Sequence, residues 1–309
     1  MPVKTKNPSV AVVTLNWNGL KDTLECIESV FACKYPHEMV VVANGSTDGS
    51  ARVLSDLYGS IIHLIAHKVN LGYSKGMNSG LNYAFQNKEV DYCLVINNDV
   101  RVDKKVIKAL VETAEKHEDA GFVTGKVYYY DNPDVLQTVG KKSHPILLNG
   151  GHIGRNEKDT GQFDTERELD FCDDIFWLVN RKVWENTGGY DPEFFLQAED
   201  FEWQIRAKKA GFRIYYTPEA KIWHKESMKL GKASPLKLYY DTRNPIIAIF
   251  KHMDAEFCRR YFRHYFRDRV AIPIVRNLLK LRLRHVWAIK TGFLSFLLWL
   301  ALNKAGLKH

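Results

Sequence analysis

"VVVANGSTDGS", residues 40–50, carries a strand-like apolar run straight into Asn-Gly-Ser-Thr-Asp-Gly. The first half is β-branched and suits a buried strand. The second half is a cluster that turns the backbone and exposes polar atoms. The same change recurs on either side of it. "VAVVTL" (10–15), "IIHLIA" (61–66) and "YCLVI" (92–96) read as further strands. Helical spacing follows each strand in turn: Leu20, Leu24 and Ile27, then Val53 and Leu57, then "SKGMNSGLNYAF" (74–85), then Val106, Leu110 and Ala114. Strand and helix alternating at this interval predict an α/β fold of parallel βαβ units with helices on both faces.

In such a sheet, ligands bind outside the carboxyl ends of the strands. Three polar clusters stand at those ends: Thr14-Leu15-Asn16, Asn44-Gly45-Ser46 and Asn97-Asn98-Asp99. They are candidates for the lining of a crevice, although Asn44–Gly49 alone serves equally well as a turn and helix cap. From 120 to 170 the pattern weakens and predicts loops and short strands. Strands are expected at 174–179 and 212–218, with a helix over 198–211 between them.

Three places carry candidate chemistry. Asp99 sets one carboxylate at a strand end, and a hard cation on a diphosphate needs few protein ligands. Glu199 and Asp200 open a helix, where the helix dipole favours ionised acids and a carboxylate is available as a general base. His224 follows a strand and offers a neutral imidazole as a metal ligand. Taken singly, each also fits a bland role: a surface turn, helix-start acids, a packed histidine.

Their order is more telling. "VVTLNWNG" (12–19), "VVVANGSTDGS" (40–50), "NLGYSKGMNSGL" (70–81), "LVINNDV" (94–100), the run from Gly188 to Ala220 and Trp223-His224 resemble family-2 glycosyltransferases in sequence and separation. The likeness covers roughly residues 8–250 and is nearest the non-processive, rhamnosyltransferase-like branch. It implies a GT-A, Rossmann-like nucleotide-sugar-binding fold with a mostly parallel sheet, and inverting transfer of one sugar from a nucleoside-diphosphate donor to a glycan or lipid-linked acceptor. On this likeness Asp99 and His224 hold Mg²⁺ or Mn²⁺, and Asp200 is the base with Glu199 its neighbour. Thr14, Asn16, Asn44, Ser46, Asn78, Asn97, Asn98 and Asp99 line the nucleotide sugar, with Gly72 and Gly76 in the loop against the nucleotide. "FEWQIRAKKAG" stands where processive relatives carry Gln-x-x-Arg-Trp. Ala43 stands where the family usually has an Asp that bonds the base. A methyl accepts no hydrogen bond, so base recognition here is relaxed or altered, or comes from Asn44 or Asn16, or the sequence is altered at this position. A sugar-phosphate nucleotidyltransferase is a second reading, but "TLNWNGL" is not its Gly-rich, basic phosphate loop. A non-catalytic nucleotide-sugar or membrane-binding module is a third, motivated by Ala43.

Composition sets the remaining bounds. At 45% hydrophobic and 12% aromatic, the 309 residues bury a core, so disorder is excluded. Five scattered cysteines, with no Cys-x-x-Cys, fit a reducing compartment. No apolar leader opens the chain, so a cytoplasmic site is expected. The net charge of +8 is concentrated from Arg259 onward, where twelve Lys/Arg meet one acid, Asp268. A nucleic-acid partner for the whole chain therefore loses its support. The expected organisation is a catalytic domain over 1–232 and a helical, basic and amphipathic extension over 233–309. The uncharged stretch from Thr291 to Asn303 falls short of the ~20 residues that span a bilayer. It predicts a helix lying on an anionic membrane at its inner face, with packing on the body or on a second copy as the other reading.

Overall fold

The computed structural model describes residues 7–88, 90–226 and 234–304. The first half alternates as expected: β1 (Val10–Asn16), α1 (Leu20–Phe31), β2 (Glu38–Asn44), α2 (Ser50–Tyr58), β3 (His63–His67), α3 (Tyr73–Asn82) and β4 (Tyr92–Asn97). Then come β5 (Val100–Val102), α4 (Val106–Lys116), β6 (Ala120–Tyr129), β7 (Asn132–Thr138), β8 (Lys141–His144), β9 (Leu148–His152) and β10 (Arg167–Leu169). β11 (Phe176–Asn180), α5 (Arg181–Thr187), α6 (Glu199–Lys209) and β12 (Arg213–His224) complete the sheet-bearing part. Four helices follow: α7 (Pro235–His252), α8 (Ala255–Tyr265), α9 (Ile272–Leu279) and α10 (Leu283–Lys304), with a π-helical turn over Phe266–Ala271.

The main sheet runs β10-β12-β6-β11-β4-β1-β2-β3. β4, β1, β2 and β3 are parallel to one another, while β11 lies antiparallel between β4 and β6. The chain builds outward from β1 to β3 and then returns to place β4 on the other side of β1. The carboxyl ends of β1 and β4 therefore flank a topological switch point, where a crevice opens. Both sheet faces are covered. Val12, Val41 and Leu94 pack with Ile27 of α1 and Leu110 of α4, and Val13, Val95 and Trp177 pack with Met77 of α3 and Trp203 of α6.

Two expectations need correction. Short strands do occur between 130 and 170, but residues 120–129 form the ten-residue β6 in the interior of the sheet, paired with β7. Lys126 interrupts the apolar pattern of β6, yet it is 1% exposed and bonded to Asp159 at 2.6 Å and Asp164 at 2.5 Å. The tail also differs. α10 is 22 residues long because it takes in Arg284, His285 and Lys290 ahead of the uncharged stretch. Leu283–Asn303, with mean hydropathy 1.4, is long and apolar enough to cross a membrane by length and composition, and 33% of its apolar window is buried in the protein. The buried part packs on the body: Phe194, Phe201 and Ile205 share one core with Ile249, Tyr265 and Phe296. The expected boundary at 232/233 lies outside the described residues.

Candidate active site

Two clefts meet at the carboxyl edge of the sheet. The first, about 400 Å³, opens at the switch point and is lined by Trp17, Asn97, Asn98, Asp99 and His224. The second, about 450 Å³, lies between α6 and the C-terminal helices, with Lys141, Asp173, Asp200, Tyr261 and Arg269 on its walls. Asp174, Gln197 and Glu199 line both.

β12 ends on His224, whose Nε2 lies 3.1 Å from Asp99 Oδ1. Its other ring nitrogen, Nδ1, lies 2.9 Å from Gln137 Oε1. The Gln137 amide is oriented in turn, because its Nε2 donates to the Glu226 carboxylate at 3.1 Å. A carboxylate only accepts, so Gln137 presents its oxygen to His224, and Nδ1 must carry the proton. The Nε2 lone pair then faces a carboxylate oxygen, and either a proton or a cation has to bridge them. The pair thus fits a divalent cation. Among the described residues no group of three or more His, Cys, Asp or Glu gathers for a metal. Two protein ligands suffice where phosphate oxygens and water complete the shell.

Glu199 and Asp200 are presented by a strained turn. Gln197 (φ 71°) and Ala198 (φ 69°) are both left-handed, a conformation costing non-glycine residues about 1–3 kcal/mol each. The loop leading to them is clamped from both sides. Asn78 on α3 donates to Tyr190 O at 2.7 Å and accepts from Tyr190 N at 2.9 Å. Ser74 donates to Phe194 O, and Asn244 on α7 donates to Leu196 O and Gln197 O. Asn44 supports α3 itself: it accepts from Leu71 N and donates to Asn70 Oδ1 and Gly72 O. Gly45 (φ 67°) admits this approach, since a Cβ there would meet Asn70 N at 2.2 Å. Asn16 likewise ties Ser46, Ser50, Gly19 and Thr23 together. Thr14 is fully buried. Of the residues expected at the ligand, Asn97, Asn98, Asp99, Glu199, Asp200 and His224 therefore line the clefts. Thr14, Asn16, Asn44, Ser46 and Asn78 stand behind them, and all but Thr14 spend their polar groups on protein partners. Ala43, 1% exposed beside Asn16 of β1 and Ala66 of β3, presents no polar group.

A family model, glycosyltransferase like family 2, matches residues 8–238. The chain belongs to that family. It is 26% identical over 220 residues to N-acetylglucosaminyl-diphospho-decaprenol L-rhamnosyltransferase of Mycobacterium tuberculosis, covering 65% of this chain and 70% of that protein. It is 24% identical over 262 residues to dTDP-rhamnosyl transferase RfbF of Shigella flexneri, covering 80% and 81%. Among solved structures it resembles the mannosyltransferase PcManGT of Pyrobaculum calidifontis in complex with GDP-Man and Mn²⁺ (TM-score 0.55, 16% identity, covering 99% of this chain and 77% of that one). S. aureus TarS 1–349 superposes with TM-score 0.56 at 15% identity, covering 93% and 91%. The fold is that of the GT-A glycosyltransferases.

The acids of this glycosyltransferase are unequal. Burial raises the Glu199 carboxyl well above its ordinary range, and the Asp174 and Asp200 charges add to the shift. Burial, with Asp200 beside it, pushes Asp174 up to about 7. Burial also raises Asp200, but the Lys141 ammonium, 3.7 Å away, opposes it. Burial would raise Asp173 too, yet Lys141 at 2.5 Å and His152 hold it well below the usual carboxylate range. Three carboxyls this close do not all ionise together. Lys141 favours ionisation of Asp200 over that of Glu199, whose Oε2 is buried without a hydrogen bond. Glu202, in the same helix turn, is committed elsewhere, to Arg206 and His252.

Proposed function

We propose that this glycosyltransferase moves one sugar, rhamnose foremost, from a nucleoside-diphosphate donor to a hydroxyl of a lipid-linked or polysaccharide acceptor, with inversion at the anomeric carbon. The observation that carries the reading is the pair of joined clefts, with Asp99 and His224 on one side of Glu199 and Asp200 on the other. In-line displacement brings the acceptor oxygen in from the face opposite the leaving diphosphate, so the base and the diphosphate site must lie on opposite sides of the sugar. Asp200, ionised beside Lys141, takes the acceptor proton as the oxygen attacks. Asp99 and His224 would hold Mg²⁺ or Mn²⁺, which when bound offsets the charge of the leaving diphosphate. The relatives' names supply rhamnose and the lipid-linked acceptor. The exposed Leu279 (82%), Leu281 (85%) and Trp287 (67%), among Arg276, Lys280, Arg282 and Arg284, support work at an anionic membrane surface.

The test is a panel of UDP-, dTDP- and GDP-sugars offered to the full chain with Mn²⁺ or Mg²⁺. One donor should bind preferentially and release nucleotide only when acceptor is present. Failure of every donor to bind, with and without metal, overturns the proposal.

The histidine support gives a sharper expectation. Gln137→Leu removes the acceptor that holds the proton on Nδ1 of His224. Mn²⁺ binding with dTDP or UDP present, followed by electron paramagnetic resonance, should weaken about 10–100-fold. Nucleotide binding in EDTA should not change. Unaltered Mn²⁺ affinity would mean that the tautomer lock is irrelevant.

A further inference from the structure

The second cleft is walled by the C-terminal helices, and two of their side chains there remain uncommitted. Tyr261 is 3% exposed and lines the cleft, yet its hydroxyl has no hydrogen bond among the described residues. Its neighbour Tyr265 is different, donating to Asp241 O at 2.7 Å. Arg269, exposed at the cleft rim, makes no ion pair among the described residues, because the adjacent Asp268 is taken by Arg267. Across the cleft, Glu199 Oε2 is buried and unbonded. The floor thus offers groups suited to sugar hydroxyls, and the rim offers one cation.

Local geometry lines these groups up. Tyr261, Tyr265 and Arg269 are spaced i, i+4, i+8, and each i,i+4 step in an α-helix overshoots a full turn by about 40°. The π-helical turn over Phe266–Ala271 is wider and takes up that overshoot, so Arg269 returns to the face of Tyr261. From Arg269 the same helical path continues into α9, which has no buried residue among those described. Ile272, Val275 and Leu279 follow Arg269 at three- and four-residue steps, with exposures of 45%, 56% and 82%. An anion site at the rim of a sugar-sized cleft thus leads onto an exposed apolar row among basic residues.

The geometry points to an acceptor subsite for a sugar linked through a diphosphate to a polyisoprenoid: Glu199 and Tyr261 hold the sugar, Arg269 holds the diphosphate, and Ile272, Val275 and Leu279 carry the first isoprene units toward the membrane. This rests on the transferase reading above and goes beyond it by assigning the acceptor's chemistry to the extension. Arg269 is a binding residue here and takes no part in the chemical step.

Two soluble probes test it by calorimetry on the full chain: N-acetylglucosaminyl diphosphate bearing a geranyl chain, and octyl N-acetylglucosaminide, which has no phosphate. The wild type should bind the diphosphate probe at least about tenfold more tightly, as a charge-assisted contact requires. Arg269→Ala should abolish that preference while leaving dTDP or UDP binding unchanged, and its exposed position lets the variant fold. Tyr261→Phe should weaken both probes to a similar degree. Equal binding of the two probes by the wild type, or an undiminished preference in Arg269→Ala, overturns the subsite. So does an Arg269→Ala variant that loses only its adhesion to phosphatidylglycerol vesicles, which would make Arg269 a headgroup contact. A chain that binds nucleotide but shows no preference fails this inference alone. A chain that binds no nucleotide fails the transferase reading itself.

Discussion

Asp200→Asn is expected to slow sugar transfer by about 10²–10⁴-fold, the usual contribution of a positioned general base. Donor affinity should stay near that of the wild type, since Asp200 lines only the cleft away from Asp99 and His224. The informative comparison is Glu199→Gln. Burial raises the Glu199 carboxyl well above its ordinary range, with the neighbouring acids adding to the shift, so a neutral amide imitates the form that burial favours. That variant should lose less than about tenfold, the cost of one altered hydrogen bond. Single-turnover transfer rates with calorimetric donor binding decide the matter. If Glu199→Gln proves the more damaging, the base has been assigned to the wrong carboxylate. If both variants lose donor binding instead of rate, the acids belong to the donor site and the two-cleft reading falls.

The parallel half of the fold was plain in the sequence because β1 to β4 are continuous apolar runs with helical spacing between them. That alternation put Asn97, Asn98 and Asp99 at the carboxyl end of a strand, whereas the switch point beside β1 depends on the strand order of the folded sheet. β6 was hidden by Lys126, whose burial depends on Asp159 and Asp164, more than thirty residues away. The missed site residues have two causes. Asp173 and Asp174 precede β11, and acids before a strand point away from the active edge when that strand is parallel. β11 runs antiparallel to β4, so its start lies where β4 ends. Gln137, Glu226 and Asn244 act through polar side chains with no spacing of their own, and only the folded chain brings them to His224 and to the 196–197 turn. The resemblance supplied Asn44 and Asn78 by position. What they are seen to do is support the turn that carries Asp200.

Lys141→Met should lower both stability and activity, with opposite dependence on acid. Lys141 is buried between Asp173 and Asp200, and removing one member of such a group leaves a buried charge uncompensated, typically at about 3–5 kcal/mol. Asp173 has a folded pKa below its unfolded value, so its contribution is present above about pH 4 and fades as pH falls through the folded value. The stability gap between wild type and variant should therefore be widest near neutral pH and close toward strong acid, as urea unfolding at several pH values would record. Activity runs the other way. Lys141 restrains the rise of the Asp200 pKa, so without it Asp200 holds its proton to higher pH. The acid limb of kcat/KM should therefore move upward relative to the wild type, so that the loss of rate deepens as pH falls. Lys141→Met combined with Asp173→Asn removes both charges of the closer pair and should recover most of the stability, and because the Asp173 charge also raises Asp200, the limb should return part of the way. A variant as stable as wild type at pH 8, or an acid limb that does not move, would show that Lys141 is not what sets the charge on Asp200.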